Sequence, residues 1–471
     1  MTKRQDLVVI GGGPGGLVVA SVAAQAGLKV TLVEKTPLLG GDCLHAGCVP
    51  SKALIHMART AHIARNGVAQ GLLSTMPDID FGKAIDHVYR VRETIQLHDD
   101  PERFRSYGCD VIFGTAQFTG KHEISVNDQT ITGKRFVIAT GSMPSVPPIP
   151  LLEQAGFDTN ETIFTRRTLP DHLAIIGGGP IGVELAQAFS RLGSRVTIIE
   201  MADRLLINED EAISMQLQAA LEEEGVEIIT AAQVAGIHRE GDARQLRLSS
   251  HATVDCDRIL VATGRQPVVH GLGLEAAGVE FNRKGITVDR RLRTTQKHIY
   301  AAGDVCGHYQ FTHTAEYQAG IILANIMFRI PAKTDYRVIP RVVYTDPEVA
   351  SVGISEKQAL EQGIKHQLVE FPMADIDRAI TDDAAAGVAR ILISKGRILG
   401  ASLVGAHAGE LIHELALAMQ VNAKAKTISR LVHAYPSYAQ INRRTINASY
   451  AGLLQSKKVR LLVWLLNRLI P

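Results

Sequence analysis

Two cysteines, Cys43 and Cys48, lie five positions apart in the stretch GGDCLHAGCVPSK, just ahead of a proline, a serine and a lysine. A thiol pair of this kind can form a disulfide that opens and closes with two electrons, or it can bind a soft metal ion. A structural zinc site needs four ligands, usually in two close pairs, and the sequence has no second pair of close cysteines. The spacing therefore favours a redox disulfide, and no metal-ligand set is predicted.

The rest of the composition fits a redox protein of a reducing compartment. Five cysteines among 471 residues, three of them dispersed, argue against a framework of structural disulfides. A formal net charge of +2 gives no general case for a nucleic-acid partner. The N-terminal stretch MTKRQDLVVIGGG has no secretory-signal pattern, so a cytoplasmic location is expected.

The residues after Cys48 predict the element that positions this thiol. The stretch VPSKALIHMARTAHIA has helical apolar spacing, and Pro50 suits the first turn of a helix. Cys48 would then lie at the positive end of that helix, which favours a thiolate. Cys43 falls in a glycine-rich segment that reads as a looser loop, and we expect it to be the more exposed thiol.

A glycine-rich turn precedes the cysteines. The segment LVVIGGGPGGLVVASVAAQAGLKVTLVE (7–34) reads as strand, turn, helix and a second strand that ends in an acid, which is a dinucleotide-binding fingerprint. Gly11 would permit the tight turn, Gly13 the approach of a pyrophosphate, and Gly16 close packing of helix and strand. Glu34 would accept a hydrogen bond from an adenosine ribose.

The fingerprint recurs without a gap in LAIIGGGPIGVELAQAFSRLGSRVTIIE (173–200). Gly177, Gly179, Gly182 and Glu200 occupy the positions of the first three glycines and the first acid. The repeat predicts two dinucleotide sites in two domains, and hence electron transfer between two cofactors. FVIATGSMP, ILVATGRQP and IYAAGDV read as buried strands that lead into further glycine turns of these domains.

The order of GxGxxG, GGDCLHAGCVPSK, a second GxGxxG, ATGR and AAGDVCG resembles the class I pyridine nucleotide-disulfide oxidoreductases, which include dihydrolipoyl dehydrogenase, glutathione reductase and mercuric reductase. The resemblance extends from Leu7 to about Leu454. It implies FAD in the first fold and a nicotinamide nucleotide in the second. It also implies a homodimer in which the C-terminal domain of one subunit completes the active site of the other.

The predicted fold class is α/β, with two Rossmann-like domains for FAD and NAD and a C-terminal α+β interface domain for dimerisation. The tail is basic and amphipathic, and it is too short to span a bilayer. Two alternatives remain for the tail: it forms a helix that docks on the dimer, or a helix that lies in a membrane surface. The predicted segments are an FAD domain at 1–148, an NAD(P) domain at 149–268, a return to the FAD domain at 269–335, the dimerisation domain at 336–455 and the tail at 456–471.

The resemblance also implies roles for individual residues. Cys48 matches the charge-transfer thiol beside the flavin, and Cys43 matches the interchange thiol that meets the substrate. Lys52 matches a lysine near flavin N5, and Glu184 matches its acidic partner. The implied cofactor contacts also include, for FAD, Gly11, Gly13, Gly16, Glu34, Lys52, Ala116, Thr140, Gly141, Asp304 and Thr312, and, for the nucleotide domain, Gly177, Gly179, Gly182, Glu200, Gly264 and Arg265.

The sequence departs from this pattern near the C-terminus. Dihydrolipoyl dehydrogenases carry a His-Pro followed by a glutamate as the general acid/base, whereas VHAYPSYAQ (432–440) places Tyr435 and Gln440 at those positions. His433 matches a non-catalytic histidine of the family. The alternative is that His433 replaces the missing base. Mercuric reductases also lack the His-Pro dyad, but they carry a C-terminal cysteine pair, and no cysteine follows Cys306 here.

The sequence therefore predicts an FAD-dependent oxidoreductase that passes electrons from NADH to a small disulfide, a metal ion or a quinone. NADH is preferred because the carboxylate of Glu200 would repel the 2′-phosphate of NADPH. The mercuric reductase-like reading is favoured, with dihydrolipoyl dehydrogenase as the alternative. A flavin-bearing redox sensor or membrane-docking subunit is the alternative of another class.

Overall fold

The computed structural model describes residues 4–241, 243–454 and 456–469, without the side chains of residues 453 and 454. Gln455 of the predicted dimerisation domain and the last two residues of the predicted tail lie outside the described residues. The chain forms two compact units. The first contains the residues up to Ile199 together with Ala232–Asp335, and the second contains Glu200–Ala231 and the residues from Tyr336 onward.

The first glycine turn lies in a parallel five-stranded sheet. Its strands are almost fully buried at the centre of the sheet, as expected where helices cover both faces. A Cβ on Gly16 would lie 1.9 Å from the carbonyl oxygen of Gly11, so only glycine lets the following helix pack on the turn. In spatial order the strands are Ile299–Ala301, Phe136–Ile138, Leu7–Ile10, Val30–Glu34 and Cys109–Phe113, and the helix is Pro14–Gln25.

The second glycine turn repeats this arrangement. The strand His172–Ile176 pairs in parallel with Arg195–Ile199 and with Arg258–Val261, and the helix Pro180–Leu192 follows the turn. A Cβ on Gly182 would lie 2.0 Å from the carbonyl oxygen of Gly177. The two nucleotide-binding folds predicted from the repeat are therefore both present.

Small antiparallel sheets and further helices complete the first unit. The strands are Gln117–Gly120, Glu123–Val126 and Gln129–Thr132; Val234–Glu240, Ala243–Leu248 and Thr253–Cys256; Ser142–Pro144 with Arg265–Pro267; and Phe281–Asn282 with Gly285–Ile286. The helices are Gly41–His45, Cys48–Ala69, Phe81–Gln96, Pro101–Ser106, Leu152–Ala155, Leu274–Ala277 and Thr312–Met327, with short 3₁₀ turns at Leu97–Asp99, Ile163–Thr165 and Gly303–Cys306.

The second unit is built on an antiparallel five-stranded sheet, which agrees with the α+β class predicted for the C-terminal domain. Buried aliphatic side chains of the sheet and of the helix Ala408–Gln420 form its core. In spatial order the strands are Arg341–Val343, Glu348–Gly353, Arg397–Gly405, Val388–Ser394 and Gln367–Pro372, with Glu227–Ile229 as a further strand of the unit. The other helices are Glu211–Glu223, Glu356–Glu361, Asp377–Thr381, Ala425–Arg430, Gln440–Ala448, Ala451–Leu454 and Lys457–Leu469, with a 3₁₀ turn at Met373–Asp375.

The helix Lys457–Leu469, the tail helix, exposes its apolar side chains. Its large apolar residues from Leu461 to Leu466, and Leu469, are between 42 and 75% exposed. The guanidinium of Arg468 lies 4.1 Å from the ring centroid of Trp464. Within the described part of the chain, no helix is long and apolar enough to cross a membrane.

Candidate redox-active site

Both thiols of the GGDCLHAGCVPSK stretch lie on helices of the first unit. Cys43 belongs to the helix Gly41–His45, here called the Cys43 helix, and Cys48 is the first residue of the helix Cys48–Ala69, the redox helix. A Cβ on Gly41 would lie 2.8 Å from the Cα of Gly13. The redox segment therefore rests directly on the first glycine turn.

The prediction that Cys43 is the more exposed thiol is wrong. Cys48 is exposed, whereas Cys43 is half-buried, and all five cysteines are free thiols. The reason is that Cys43 lies in a short helix rather than in a loose loop. Cys48 instead opens its helix, where no preceding turn of that helix covers it.

Thr312 joins the two thiols. Its Oγ1 donates a hydrogen bond to Cys43 Sγ over 3.1 Å and lies 3.6 Å from Cys48 Sγ. Thr312 begins the helix Thr312–Met327, so its position is fixed by a long element that packs on the first nucleotide-binding fold. The sequence assigned this residue to the cofactor; the structure places its hydroxyl at the sulfur atoms.

The two thiols differ strongly in acidity. The hydrogen bond from Cys43 lowers the pKa of Cys48 to about 6, and the positive charge of Lys52 and the hydroxyl of Thr312 act in the same direction. The hydrogen bond with Cys48, and then burial, raises the pKa of Cys43. At neutral pH the reduced pair therefore carries its thiolate on Cys48 and its proton on Cys43.

This acidity predicts a pH-dependent absorbance in the two-electron-reduced holoenzyme. The resemblance implies that Cys48 lies beside FAD, where its thiolate would give a long-wavelength charge-transfer band. This band should persist above pH 6 and disappear as the pH falls through about 6, because the lowered pKa keeps Cys48 ionised above that value. Anaerobic titration after reduction with NADH measures it, with Cys48→Ser as the control that lacks the band at every pH. A midpoint near the ordinary thiol value of 9.0 would contradict the prediction.

Lys52 and Glu184 form an ion pair. Lys52 Nζ lies 2.8 Å from Glu184 Oε2, and their side chains are 33 and 6% exposed. Lys52 lies one turn beyond Cys48 on the redox helix, and Glu184 lies on the helix that follows the second glycine turn. A buried carboxylate needs such a partner, so the pair ties the thiol segment to the second nucleotide-binding fold.

The first glycine turn forms an open cradle. Gly13 caps the helix Pro14–Gln25 with no side-chain hydrogen bond, and a Cβ there would meet only Gly41, at 3.9 Å. Glu34 is buried; it accepts hydrogen bonds from the Gly12 amide over 2.7 Å and from Thr36 over 2.9 Å. A helix N-terminus that no side chain caps suits a phosphate-bearing group such as FAD.

Four predicted cofactor residues meet where Ser142–Pro144 pairs with Arg265–Pro267. Thr140 Oγ1 donates to the Val268 carbonyl over 2.9 Å, and the Gly141 carbonyl accepts from the Val268 amide over 3.0 Å. Gly264 and Arg265 begin the facing segment. The predicted FAD residue Ala116 directly precedes the strand Gln117–Gly120 and is buried in the adjacent core.

Asp304 is joined to this pair of strands through a serine. Ser142 Oγ donates to Asp304 Oδ2 over 2.6 Å, and Arg265 Nε donates to Ser142 Oγ over 2.7 Å. Burial raises the pKa of Asp304, while the hydrogen bond from Ser142 and the charge of Arg265 oppose that rise. Ser142 was not among the predicted site residues, although it follows the predicted Gly141 directly.

The second glycine turn presents the same kind of cradle. Gly179 caps the helix Pro180–Leu192 without a side-chain hydrogen bond, and a Cβ there would meet nothing within 4 Å. The Gly177 amide donates to the Ile199 carbonyl over 2.9 Å. Glu200 follows that strand directly, and its Oε1 accepts from the Ala202 amide over 2.7 Å.

The C-terminal residues lie in the second unit. Tyr435 is 71% exposed, and its hydrogen bond to Asp377 raises the pKa of its phenol above the ordinary 10.0. Gln440 is buried and donates from Nε2 to the Ala434 carbonyl over 3.3 Å. A phenol whose pKa is raised keeps its proton at neutral pH, so Tyr435 can donate a hydrogen bond but cannot serve as a base.

His433 is engaged elsewhere in the second unit. Its Nε2 lies 3.1 Å from Glu414 Oε1, and its side chain is 5% exposed. Asn442 Nδ2 donates to the other oxygen of Glu414 over 2.8 Å. This network occupies the imidazole within its own subunit, which argues against the alternative that His433 replaces the missing base.

Two further polar residues near the thiols were missed. Asp42, directly before Cys43, lies 3.2 Å from Arg265, and Asn160 donates to Asp42 over 3.2 Å. A charged residue beside a reactive thiol was a usable signal for Asp42. Nothing in the local sequence marks Asn160, which reaches the site only through the fold.

Comparisons with known proteins agree with this geometry. The family model for pyridine nucleotide-disulphide oxidoreductases matches residues 5–319, and the model for the dimerisation domain of that family matches residues 339–444. Mitochondrial dihydrolipoyl dehydrogenase of Pisum sativum is 34% identical over 470 residues, covering 95% of this chain and 92% of its own. Mercuric reductase of Streptomyces lividans is 33% identical over 447 residues, covering 92 and 94%.

A solved structure is similar over nearly the whole chain. The Cu(II) complex of the HOCl-induced flavoprotein disulfide reductase RclA from Escherichia coli has a TM-score of 0.86 and 32% identity, and the match covers 94% of this chain and 99% of that one. The fold and the thiol site define an enzyme that uses FAD and a pyridine nucleotide to reduce or oxidise a cysteine pair. The chain belongs to the pyridine nucleotide-disulphide oxidoreductase family.

Proposed function

We propose that the enzyme passes electrons from NADH through FAD and the Cys43–Cys48 pair to a soft metal ion or an unusual small disulfide rather than to lipoamide. The observation that supports this most is the asymmetric thiol pair, with its thiolate on Cys48 and the Thr312 hydroxyl within reach of both sulfur atoms. Soft metal ions prefer thiolate ligands such as Cys48, and a metal ion that also binds Cys43 would displace the proton of that thiol.

The relatives support a metal ion as one candidate acceptor, since the family includes enzymes with different acceptors. Mercuric reductases and a dihydrolipoyl dehydrogenase resemble the chain to a similar degree, so similarity alone does not choose between them. RclA has been solved as a Cu(II) complex. Both Hg(II) and Cu(II) therefore belong among the acceptors to be assayed.

In this proposal Cys43 meets the acceptor and Cys48 lies beside the cofactor, with Lys52 and Glu184 as the charged pair next to it. Bound FAD supplies the two-electron chemistry that links the pyridine nucleotide to the thiols. Oxidation of the two thiols to the disulfide releases two electrons and two protons, which reduces one Hg(II) to Hg(0) or two Cu(II) to two Cu(I). The first glycine turn, Glu34 and Asp304 hold FAD, and the second glycine turn with Glu200 holds the nucleotide.

An acceptor screen tests the proposal. Purified holoenzyme with NADH is offered Hg(II), Cu(II), lipoamide, other small disulfides and a soluble quinone, and Cys43→Ser is the control. Turnover with a metal ion or small disulfide that is lost in the variant supports the proposal. A quinone that is reduced equally well by Cys43→Ser would mean that the thiols are bypassed. A reduced enzyme that no acceptor discharges would favour a redox sensor.

We predict at least a tenfold preference for NADH over NADPH in kcat/KM, which corresponds to about 1.4 kcal/mol. The reason is that the Glu200 carboxylate can accept from a ribose hydroxyl but repels a 2′-phosphate. Steady-state kinetics with both nucleotides measure it. Glu200→Ser should reduce the preference, whereas the matched control Asp203→Asn, an exposed acid nearby in sequence, should leave it unchanged. Equal or better kcat/KM with NADPH in the wild type would refute the prediction.

The dimerisation domain of the family supports a homodimer. We further propose that the C-terminal domain of one subunit brings Tyr435 to the thiols of its partner, so a separated monomer is inactive. The domain bounds predicted from the sequence are part of this proposal: FAD segments at 1–148 and 269–335 lie on either side of an NAD(P) domain at 149–268 in the sequence. The C-terminal domain at 336–455 then provides the subunit contact.

We also propose that the tail helix contacts the cytoplasmic face of a membrane. Val459, Leu462, Val463, Leu466 and Leu469 recur at helical spacing and form one apolar face. Every charged residue after Glu414 is lysine or arginine. A basic amphipathic helix of this kind suits a surface of anionic lipid, which attracts cationic segments.

The tail predicts flotation with liposomes that contain anionic lipid. Full-length protein should float with phosphatidylglycerol liposomes and much less with phosphatidylcholine liposomes. Truncation after Gln455 should abolish flotation, and Leu462→Ser with Leu466→Ser should reduce it strongly while keeping the length of the chain. If the truncated protein floats equally well, the membrane proposal fails; if truncation instead dissociates the dimer, the tail serves the subunit contact.

A further inference from the structure

The helix Gln440–Ala448 borders a cavity to which the proposed function gives no role. This cavity, here called the arginine cavity, has a volume of about 340 Å³ and lies in the second unit. Small-molecule sites commonly enclose about 300–1,000 Å³, so the cavity is large enough for a small ligand. Its lining consists of Phe371 on the sheet and, on the helix, Arg443, Arg444, Asn447 and Ala448.

Helical spacing brings the polar residues of the arginine cavity together. Asn447 lies four residues after Arg443 and three after Arg444, and residues at these separations are neighbours on the surface of a helix. Ile441 and Ile446 of the same helix pack into the core of the unit. The two arginines are only partly exposed, so they lie at the border between that core and solvent.

The two arginines have no acidic partner among the described residues. Arg443 Nε is buried, and within the part of the chain that the structure describes it has no hydrogen-bond partner. In the same part of the chain, no carboxylate forms an ion pair with Arg443 or Arg444. A buried donor without a partner is unfavourable, so a ligand that accepts a hydrogen bond from it gains binding free energy.

The acid next to Phe371 in the sequence pairs elsewhere. Side chains alternate between the two faces of a strand, so Glu370 lies on the face opposite to Phe371, where it pairs with Arg390 over 2.5 Å. Every charged residue after Glu414 is lysine or arginine. The arginine cavity therefore carries positive charge that no described carboxylate neutralises.

The other two side chains of the cavity indicate what it could hold. Ser429 Oγ donates to Asn447 Oδ1 over 2.6 Å, which leaves the Nδ2 group of Asn447 to donate to a ligand. Phe371 is partly buried and packs against the core, so its ring provides a fixed apolar wall. The cavity thus combines hydrogen-bond donors for an anion with one apolar surface.

We propose that the arginine cavity binds a phosphate group through Arg443 and Arg444, and that the ligand places an apolar part against Phe371. A guanidinium presents paired N–H donors that match two oxygens of a phosphate, and it stays charged at neutral pH. Asn447 Nδ2 adds a neutral donor. A soluble organic phosphate and the headgroup of an anionic lipid share this chemistry, and the experiment distinguishes them.

Binding to the full-length, FAD-loaded enzyme tests the proposal. Calorimetric titrations use inorganic phosphate, phenyl phosphate and monomeric dihexanoyl phosphatidylglycerol, with saturating NAD⁺ so that the proposed nucleotide site is filled. Inorganic phosphate should bind saturably, and phenyl phosphate should bind more tightly because its ring reaches Phe371. Tighter binding of phosphatidylglycerol than of phenyl phosphate would identify a lipid as the ligand, and the reverse order would identify a soluble phosphate.

Substitutions of the two arginines should weaken binding. Arg443→Gln and Arg444→Gln should each raise the Kd of all three probes by about tenfold or more, because each removes a charged donor. Arg443→Lys keeps the charge but loses the paired donors, so its affinity should be intermediate. Arg430→Gln is the matched control, since it removes the same charge from an exposed position outside the cavity and should bind like the wild type.

Thermal unfolding separates binding from a structural role. Phosphate should raise the melting temperature of the wild type but not that of Arg443→Gln, whereas without phosphate the two proteins should melt alike, because the Arg443 guanidinium loses no partner. If Arg443→Gln fails to fold, Arg444→Gln takes its place.

Two results would overturn the proposal. One is that the wild type binds none of the three probes saturably. The other is an affinity that stays unchanged in both Arg443→Gln and Arg444→Gln, because binding would then occur elsewhere. Neither measurement involves electron transfer, so the acceptor screen is interpreted separately.

Discussion

The wild-type enzyme should oxidise dihydrolipoamide at least about 10²-fold more slowly than relatives that carry histidine at the position of Tyr435, since general acid/base assistance contributes roughly 10²–10⁴-fold. Exchange between a dithiol and a disulfide needs a group that accepts and returns a proton near neutral pH. The hydrogen bond to Asp377 raises the pKa of Tyr435, so the phenol stays protonated. Steady-state assays of dihydrolipoamide with NAD⁺, beside Hg(II) reduction with NADH, measure both activities in one preparation.

Tyr435→His with Gln440→Glu should raise lipoamide turnover by about tenfold or more, because the pair restores a histidine base with an acidic partner. Tyr438→His is the matched control, since Tyr438 lies on the same segment and donates to Asp382 over 3.0 Å. Lipoamide turnover by the wild type at ordinary dehydrogenase rates would refute the prediction. No gain in the double variant, together with no metal reduction in either protein, would refute it as well.

Gly182→Ala should disable the second nucleotide-binding fold. Its Cβ would lie 2.0 Å from the Gly177 carbonyl oxygen, which belongs to the turn and cannot move away like a flexible side chain. Overpacking of this kind costs about 3 kcal/mol or more, so we expect the apparent melting temperature to fall by about 5 °C or more. Because the turn itself is displaced, kcat/KM for NADH should fall by at least about 10²-fold.

Gly179→Ala is the matched comparison. A Cβ at Gly179 meets nothing within 4 Å, so the protein should keep its melting temperature. The added methyl group should still raise KM for NADH, because Gly179 caps the helix toward which the pyrophosphate is expected to point. Thermal unfolding and NADH kinetics of the two variants separate packing from binding. A wild-type melting temperature in Gly182→Ala would show that the close contact is not required.

Much of the candidate site could be predicted from short local motifs. The thiols, the two glycine turns and the start of the redox helix at Cys48 follow from residues within one short segment each. Lys52 and Glu184 are 132 positions apart, and they were paired because the resemblance implied it rather than because of spacing. The strands predicted before the ATG and AAGD motifs are present in the structure. Short apolar runs that end in glycine turns are typical of buried strands.

Two long-range contacts around the thiol segment could not be predicted from local sequence. Thr312 reaches the sulfur atoms from 264 positions beyond Cys48, and Asn160 meets Asp42 from 118 positions away. The order of thiol exposure was predicted wrongly because the glycines before Cys43 suggested a loop, whereas the backbone continues as a helical turn from Gly41. Such contacts depend on the tertiary arrangement of whole helices.

The Lys52–Glu184 ion pair limits how this enzyme can be recombined with its relatives. In a chimera, the segment around Glu184 is replaced by the corresponding segment of a relative, whereas Lys52 is kept. If that segment has no carboxylate at the position of Glu184, Lys52 loses the nearly buried carboxylate with which it pairs. Removing one partner of a buried pair leaves the other charge uncompensated, which costs several kcal/mol for a fully buried pair and less for a lysine that is 33% exposed. The two nucleotide-binding folds therefore cannot be exchanged with those of a relative independently of each other. A stable chimera has to contain both Lys52 and Glu184, or neither of them.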